Sequence, residues 1–169
     1  MKTEELKFLK IATEPHPASG FTLEYLDKPN AIAALFLDAA GEKALLVKQY
    51  RPGYRGELLE VPAGIMEAGE DPLTTLHREL REETGYGPGD YTLLYTPEKS
   101  LILSPGCSTE RLFVYIAQLK KAAGKPERLR LDEGEILEDH WADLGEIEKA
   151  TADFKTIFAL NLYKLIKKA

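Results

Sequence analysis

Only one cysteine, Cys107, occurs among the 169 residues, which excludes an internal disulfide and a Cys-rich zinc site. Positive charge is short as well: 22 Lys and Arg stand against 28 Asp and Glu, for a net charge of −6. Nonspecific nucleic-acid binding needs a basic surface, so no nucleic-acid partner is expected. No apolar run approaches the roughly 18 residues of a membrane span, so no membrane partner is expected either. The opening M-K-T-E-E-L-K lacks the apolar stretch of a secretory signal, and the expected setting is cytoplasmic. Internal repeats and low-complexity segments are missing too. What is present is 44% hydrophobic residues in a chain of one-domain size, enough for a sizeable core.

Taken in order, Leu6 to Ala12 and Phe21 to Leu26 read as short strands around the turn-forming P-H-P-A-S-G of 15–20. Together they predict an N-terminal β-hairpin over 1–28. An isolated hairpin is marginal in water, so it is expected to pack on the remaining domain, 29–169, or on a second subunit. Ala31 to Leu37 is a continuous apolar run suited to a strand buried on both faces. Ala44–Tyr50, Leu58–Val61, Tyr91–Tyr95, Leu101–Leu103, Leu112–Leu119 and Ile136–Trp141 are further strands. Residues 51–56 and 104–111 read as loops. Leu144–Ala150 reads as a short helix and Lys155–Lys168 as a longer one, with Ile157, Leu160, Leu162, Leu165 and Ile166 inward. Several strands before the first long helix, and a helix after the last, predict an α+β protein with a mixed sheet covered by helices.

The most informative stretch is G-I-M-E-A-G-E-D-P-L-T-T-L-H-R-E-L-R-E-E-T-G-Y, from Gly64 to Tyr86. Asp71 is a good N-cap, Pro72 suits the first helical position, and Gly85 supplies a left-handed stop. Over 72–84, Leu73, Leu76, Leu80 and Thr84 fall on the side that can meet a core. Glu79, Glu82 and Glu83 share roughly a third of the opposite circumference. Two readings of these acids stand open. They can be a solvated helix face with an ordinary Arg78–Glu82 pair. They can also be a carboxylate cluster whose repulsion a hard cation such as Mg²⁺ relieves.

Gly64, Glu70, Arg78, Glu79, Leu80, Glu82, Glu83 and Gly85 match the Nudix box, G-x5-E-x7-R-E-U-x-E-E-x-G-U, with Tyr86 replacing the last bulky aliphatic. The chain resembles a Nudix hydrolase. The resemblance implies an α/β/α sandwich with a mixed sheet and hydrolysis of a nucleoside diphosphate linked to another moiety. V-K-Q-Y-R-P (47–52), E-V-P-A-G (60–64), S-P-G-C-S-T-E-R (104–111), L-D-E-G-E (131–135) and D-F-K-T-I-F-A-L (153–160) are similar to the ADP-ribose pyrophosphatase branch. That branch implies a nucleoside diphosphate sugar as substrate. It also implies a homodimer in which the N-terminal strands exchange.

Carried over residue by residue, Glu79 and Glu83 resemble the principal metal ligands, with Glu82 beside them and the Ala63 carbonyl as an extra ligand. Mg²⁺ or Mn²⁺ suits such an all-oxygen site, and zinc does not. Glu70 resembles the residue that braces the loop, and Arg78 the one that orients the glutamates. Arg51 resembles a clamp on the diphosphate, Glu110 an acceptor for ribose hydroxyls, and Ser104 and Glu60 further substrate-binding positions. The general base of this branch lies on an acidic loop, where Glu133 matches best and Glu135 is its neighbour.

The net negative charge fits a polyanionic substrate only if metal ions and arginines reverse the field locally. His77 reads as structural, His16 as a turn residue, His140 as packing. Phe21, Tyr25 and Tyr54 can stack on a base but read first as core or interface. Two alternatives remain. One is the same chemistry on dinucleoside polyphosphates, nucleoside triphosphates or coenzyme A. The other is a non-catalytic ADP-ribose sensor.

Overall fold

The computed structural model describes residues 9–123, 126 and 138–168. Its first element is a two-stranded antiparallel sheet, β1 (Ile11–Pro15) on β2 (Thr22–Leu26), in register from Ile11 opposite Leu26 to Pro15 opposite Thr22. Of the strand expected over Leu6 to Ala12, residues 6–8 lie outside the described residues; within them the strand runs from Ile11 past Ala12 to Pro15. His16 closes the turn by accepting the Ala18 and Ser19 N–H groups on Nδ1.

Among the described residues the main sheet has eight strands. β3 (Ala31–Leu37) runs parallel to β9 (Arg111–Leu119), and the other pairings are antiparallel. β10 (Glu138–Asp143), β4 (Lys43–Arg51), β3, β9 and β7 (Tyr91–Tyr95) lie side by side in that order. β5 (Gly56–Glu60) joins β4, β6 (Ala63–Ile65) joins β3, and β8 (Leu101–Ile102) joins β9.

Because successive side chains of a strand point to opposite faces, β3 divides the core in two. Ala33, Leu35 and Leu37 pack with Ala159, Leu160 and Tyr163 of helix α3 (Phe154–Ile166). Ile32, Ala34 and Phe36 pack with Leu76 and Leu80 of helix α1 (Pro72–Thr84). A short α2 (Ile147–Ala150) buries Ile147 on the α3 side. The result is the expected mixed sheet between helical layers, with the hairpin as a separate small sheet. Tyr86 packs against Phe36, ring centroids 5.6 Å apart, so the unusual residue of the box fills core space.

Several expectations need correction. Leu73 is exposed, and Thr75 is buried in its stead. Leu165 and Ile166 are exposed, because α3 turns only Thr156, Ala159, Leu160 and Tyr163 fully inward. Phe21 and Tyr54 are exposed and belong to no core of this chain, and His140 is exposed on β10. Arg51 ends a strand, opposite Gly56, where a loop was expected.

One irregularity positions everything that follows. β4 pairs with β3 only at Leu45 and Ala44, then leaves it to pair with β5 from Val47 to Arg51. β6 takes the vacated edge of β3, from Ala31 to Ala33. The sheet thus forks, and a cleft of about 800 Å³ opens in the fork. Among the described residues, no helix is long and apolar enough to cross a membrane.

Candidate active site

Helix α1 forms one wall of the cleft, and local chemistry sets its ends. The Asp71 carboxylate accepts the Leu73 and Thr74 N–H groups at 3.0 and 3.1 Å. Pro72 begins the helix without a lost hydrogen bond. Gly85 stops it in the left-handed region, at φ 76°. Leu76 and Leu80 are fully buried, each worth roughly 1.5–3 kcal/mol, and their burial fixes the helix rotation. That rotation presents Arg78, Glu79, Glu82 and Glu83 to the cleft.

Arg78 is the centre of this wall. Its Nε and Nη2 donate to the two oxygens of Glu70 at 3.1 and 3.0 Å, and Nη2 also reaches the Ile65 carbonyl. Its Nη1 donates to Glu79 at 2.7 Å and Glu82 at 3.2 Å. Glu70 further accepts the Glu67 N–H and the Thr75 hydroxyl. The Arg78 hydrogen bond, then the Glu67 N–H, lower the Glu70 carboxyl to about 2. The Glu70 hydrogen bond raises Arg78 above the ordinary guanidinium range.

Glu83 is nearly buried, and its carboxylate accepts the Ala63 N–H at 3.1 Å, tying α1 to β6. Glu79 lies so close over Gly64 that a Cβ there would stand 1.8 Å from its carboxyl carbon. The glycine of the box is therefore the seat of a carboxylate.

Among the described residues, no three His, Cys, Asp or Glu side chains converge as a set of metal ligands. Arg78 holds Glu79 and Glu82 through one nitrogen, and Glu83 turns to the backbone of β6. The donor chemistry nevertheless fits a hard divalent cation. All donors are oxygens, three carboxylates surround one guanidinium with Glu83 as a fourth on the same helix, and Gly64 leaves the space that the Glu79 carboxyl fills.

The opposite wall comes from β4, β5 and the start of α3. Arg51 donates Nε and Nη2 to the two oxygens of Glu60 at 2.7 and 2.6 Å. Glu60 is 1% exposed, and Lys155 also donates to it, at 2.9 Å. Burial alone would raise the Glu60 carboxyl, but the Arg51 hydrogen bond and the Lys155 charge outweigh it and hold the group below its ordinary range. The end of the cleft carries Ser104 and Glu110, the latter paired with Lys28 at 2.7 Å. The hairpin reaches this end through Leu26, whose N–H donates to the Cys107 carbonyl and whose carbonyl accepts the Thr109 N–H.

Arg51, Ala63, Arg78, Glu79, Glu82, Glu83, Ser104 and Glu110 thus line one cleft. Glu60 does not line it. Its oxygens are taken by Arg51 and Lys155, so any influence it has on a ligand passes through Arg51. Glu133 and Glu135 lie outside the described residues. Lys28, Gln49, Asp153, Phe154 and Lys155 also line the cleft and were not singled out in the sequence. For the last three the D-F-K-T motif was the available signal. His77 is half-buried and shares a 2.6 Å hydrogen bond with the Tyr91 hydroxyl.

Residues 27–160 match the NUDIX domain family. The chain is 34% identical over 147 residues to the methanol dehydrogenase activator of Bacillus methanolicus, covering 84% of this chain and 76% of that one. It is 33% identical, with the same coverage, to the ADP-ribose pyrophosphatase of Bacillus subtilis. It is 27% identical to the GDP-mannose pyrophosphatase of Shigella flexneri, over 84% of this chain and 77% of that one. The fold matches a crystal structure of an ADP compounds hydrolase with a TM-score of 0.73 and 21% identity, over 99% of this chain and 91% of that one.

Proposed function

The chain belongs to the Nudix family and is a Nudix hydrolase, and from that premise we propose that it cleaves the diphosphate of ADP-ribose or a related nucleoside diphosphate sugar. The products are a nucleoside monophosphate and a sugar phosphate. The observation that carries this reading is a cleft with an acidic wall facing a wall of Arg51 and Lys155. A linear diphosphate meets a cation site on one side and hydrogen-bond donors on the other. The names of the relatives point the same way.

Members of this family use divalent metals. We assign Mg²⁺ or Mn²⁺ to Glu79 and Glu83, with Glu82 and the Ala63 carbonyl completing an oxygen set. A bound ion supplies neutralisation of phosphate charge and activation of water. Arg78 keeps Glu79 and Glu82 oriented while Glu70 keeps Arg78 in place. Arg51, held side-on by Glu60, turns its remaining N–H groups to the diphosphate. Glu110 accepts from ribose hydroxyls beside Ser104. Glu133, with Glu135 as its alternate, takes the proton of the attacking water.

A homodimer through the hairpin belongs to the same proposal. Its support is a sheet separate from the main one, with Ile11, Phe21 and Leu23 exposed. A cytoplasmic setting also belongs to it, supported by the free cysteine.

The test is release of phosphate monoesters from ADP-ribose, GDP-mannose, UDP-glucose, diadenosine polyphosphate, coenzyme A and nucleoside triphosphates, each with and without Mg²⁺. Metal-dependent cleavage of one or more nucleotide sugars is expected. Cleavage confined to the other compounds would move the substrate class, and silence with ADP-ribose still bound would make the protein a sensor.

A further inference from the structure

Four ionisable groups lie together on the wall opposite α1. Two acids, Glu60 and Asp153, are buried with side chains 2% and 9% exposed. Two cations, Arg51 and Lys155, are the more exposed members, with side chains 40% and 21% exposed, and both line the cleft, where Asp153 also reaches its edge. The acids are locked from behind. One Asp153 oxygen accepts the Thr156 N–H and hydroxyl, and the Thr156 hydroxyl in turn accepts the Val61 N–H next to Glu60. The other Asp153 oxygen accepts Lys155 at 2.7 Å.

Arg51 Nη2 and Lys155 Nζ bond the same oxygen of Glu60, at 2.6 and 2.9 Å, so the two nitrogens lie no more than 5.5 Å apart. Two cations this close repel unless anions sit between and before them. Glu60 supplies the anion between them. The ammonium has three hydrogens, of which Glu60 and Asp153 take two; the guanidinium has five, of which Glu60 takes two. The donors left over are held by side chains that border the cleft.

We propose that Lys155 is a substrate-binding residue and forms with Arg51 a two-cation seat for the diphosphate, filled from the cleft side and backed by Glu60 and Asp153. The spacing of the two nitrogens suits the oxygens of adjacent phosphoryl groups. The inference rests on the diphosphate-substrate reading and adds to it a residue outside the box. The alternative role of Lys155 is to neutralise buried acid with no ligand contact.

Binding of inorganic pyrophosphate, measured by calorimetry in EDTA, separates the two. Lys155→Met is expected to weaken pyrophosphate at least about tenfold, the scale of one charge-assisted hydrogen bond. KM for the nucleotide sugar should rise by a similar factor while kcat changes less, and Lys155→Arg should recover most of the loss. Lys155→Gln, which retains a donor toward the acids, serves if the Met variant fails to fold. Pyrophosphate affinity and KM within twofold of wild type, whatever happens to Tm, would reduce Lys155 to a buttress. So would a wild-type protein that binds no pyrophosphate at millimolar concentration. A wild-type protein that cleaves no nucleotide sugar, yet loses pyrophosphate on Lys155→Met, would keep the seat and overturn the substrate.

Discussion

On the α1 wall a single guanidinium, Arg78, serves Glu70, Glu79, Glu82 and the Ile65 carbonyl. On the facing wall two cations, Arg51 and Lys155, divide two buried acids, Glu60 and Asp153. The first arrangement leaves an excess of carboxylate, which repels itself and has an affinity for added cations. The second is balanced within the protein and offers its positive side outward. A chain of net charge −6 thereby presents both signs across one cleft. Global charge says little about a site whose field is set by which member of each pair stands in front.

The contrast breaks most completely at Gly64. Gly64→Ala forces a methyl into the space of the Glu79 carboxyl group, 1.8 Å away, so Glu79 must leave its seat. We expect metal-dependent kcat/KM to fall about 10²- to 10³-fold, as for loss of a positioned electrostatic group, with the fold retained. Steady-state kinetics with a Mg²⁺ titration and circular dichroism check this. Activity within tenfold at unchanged metal demand would mean that Glu79 is not working from that seat.

A smaller effect tests the opposite wall. Arg51→Lys keeps the charge but loses the fork to Glu60, and Glu60→Gln weakens the same fork from behind. Each should lower kcat/KM by about 10- to 10²-fold, on the scale of a lost charge-assisted pair. Because Glu60 acts through Arg51, the double variant should be little worse than the poorer single one. Full additivity would show that Glu60 has an independent role.

The smallest effect concerns acid stability. The Glu70 carboxyl lies at about 2 in the folded protein, against an ordinary value of 4.5. A group lowered in the folded state stabilises it above the ordinary value, and that contribution is lost as pH falls from about 4.5 toward 2. Glu70→Gln should therefore lower Tm by a few degrees at pH 7, with a gap to wild type that narrows at pH 3. A gap that stays constant across this range would separate the Arg78–Glu70 pair from the acid sensitivity of the fold.

The two walls also differ in how far a reader of the sequence could see them. Gly64, Glu70, Arg78 and the three helix acids sit within one contiguous stretch, and α1 spans the predicted 72–84. β3 and β7 likewise match their predicted spans, because an apolar run or a short β-branched and aromatic segment is complete in itself. β6 was missed, since its three residues carry no period and are a strand only because β3 offers an edge. Leu73 and Leu165 were assigned inward from spacing, but the layers they would meet do not extend that far.

The sequence alone was enough for the family, the box helix with its caps, and the shared helix face of Glu79, Glu82 and Glu83, because those depend on neighbours a few residues apart. Tertiary structure decided the rest. It forked the sheet, drew Lys155 to Glu60 across 95 positions, and put Glu60 behind Arg51 instead of in the cleft. Burial of a charge is a property of the partners that surround it, and those partners come from β4, β5 and α3, which meet only once the core has closed.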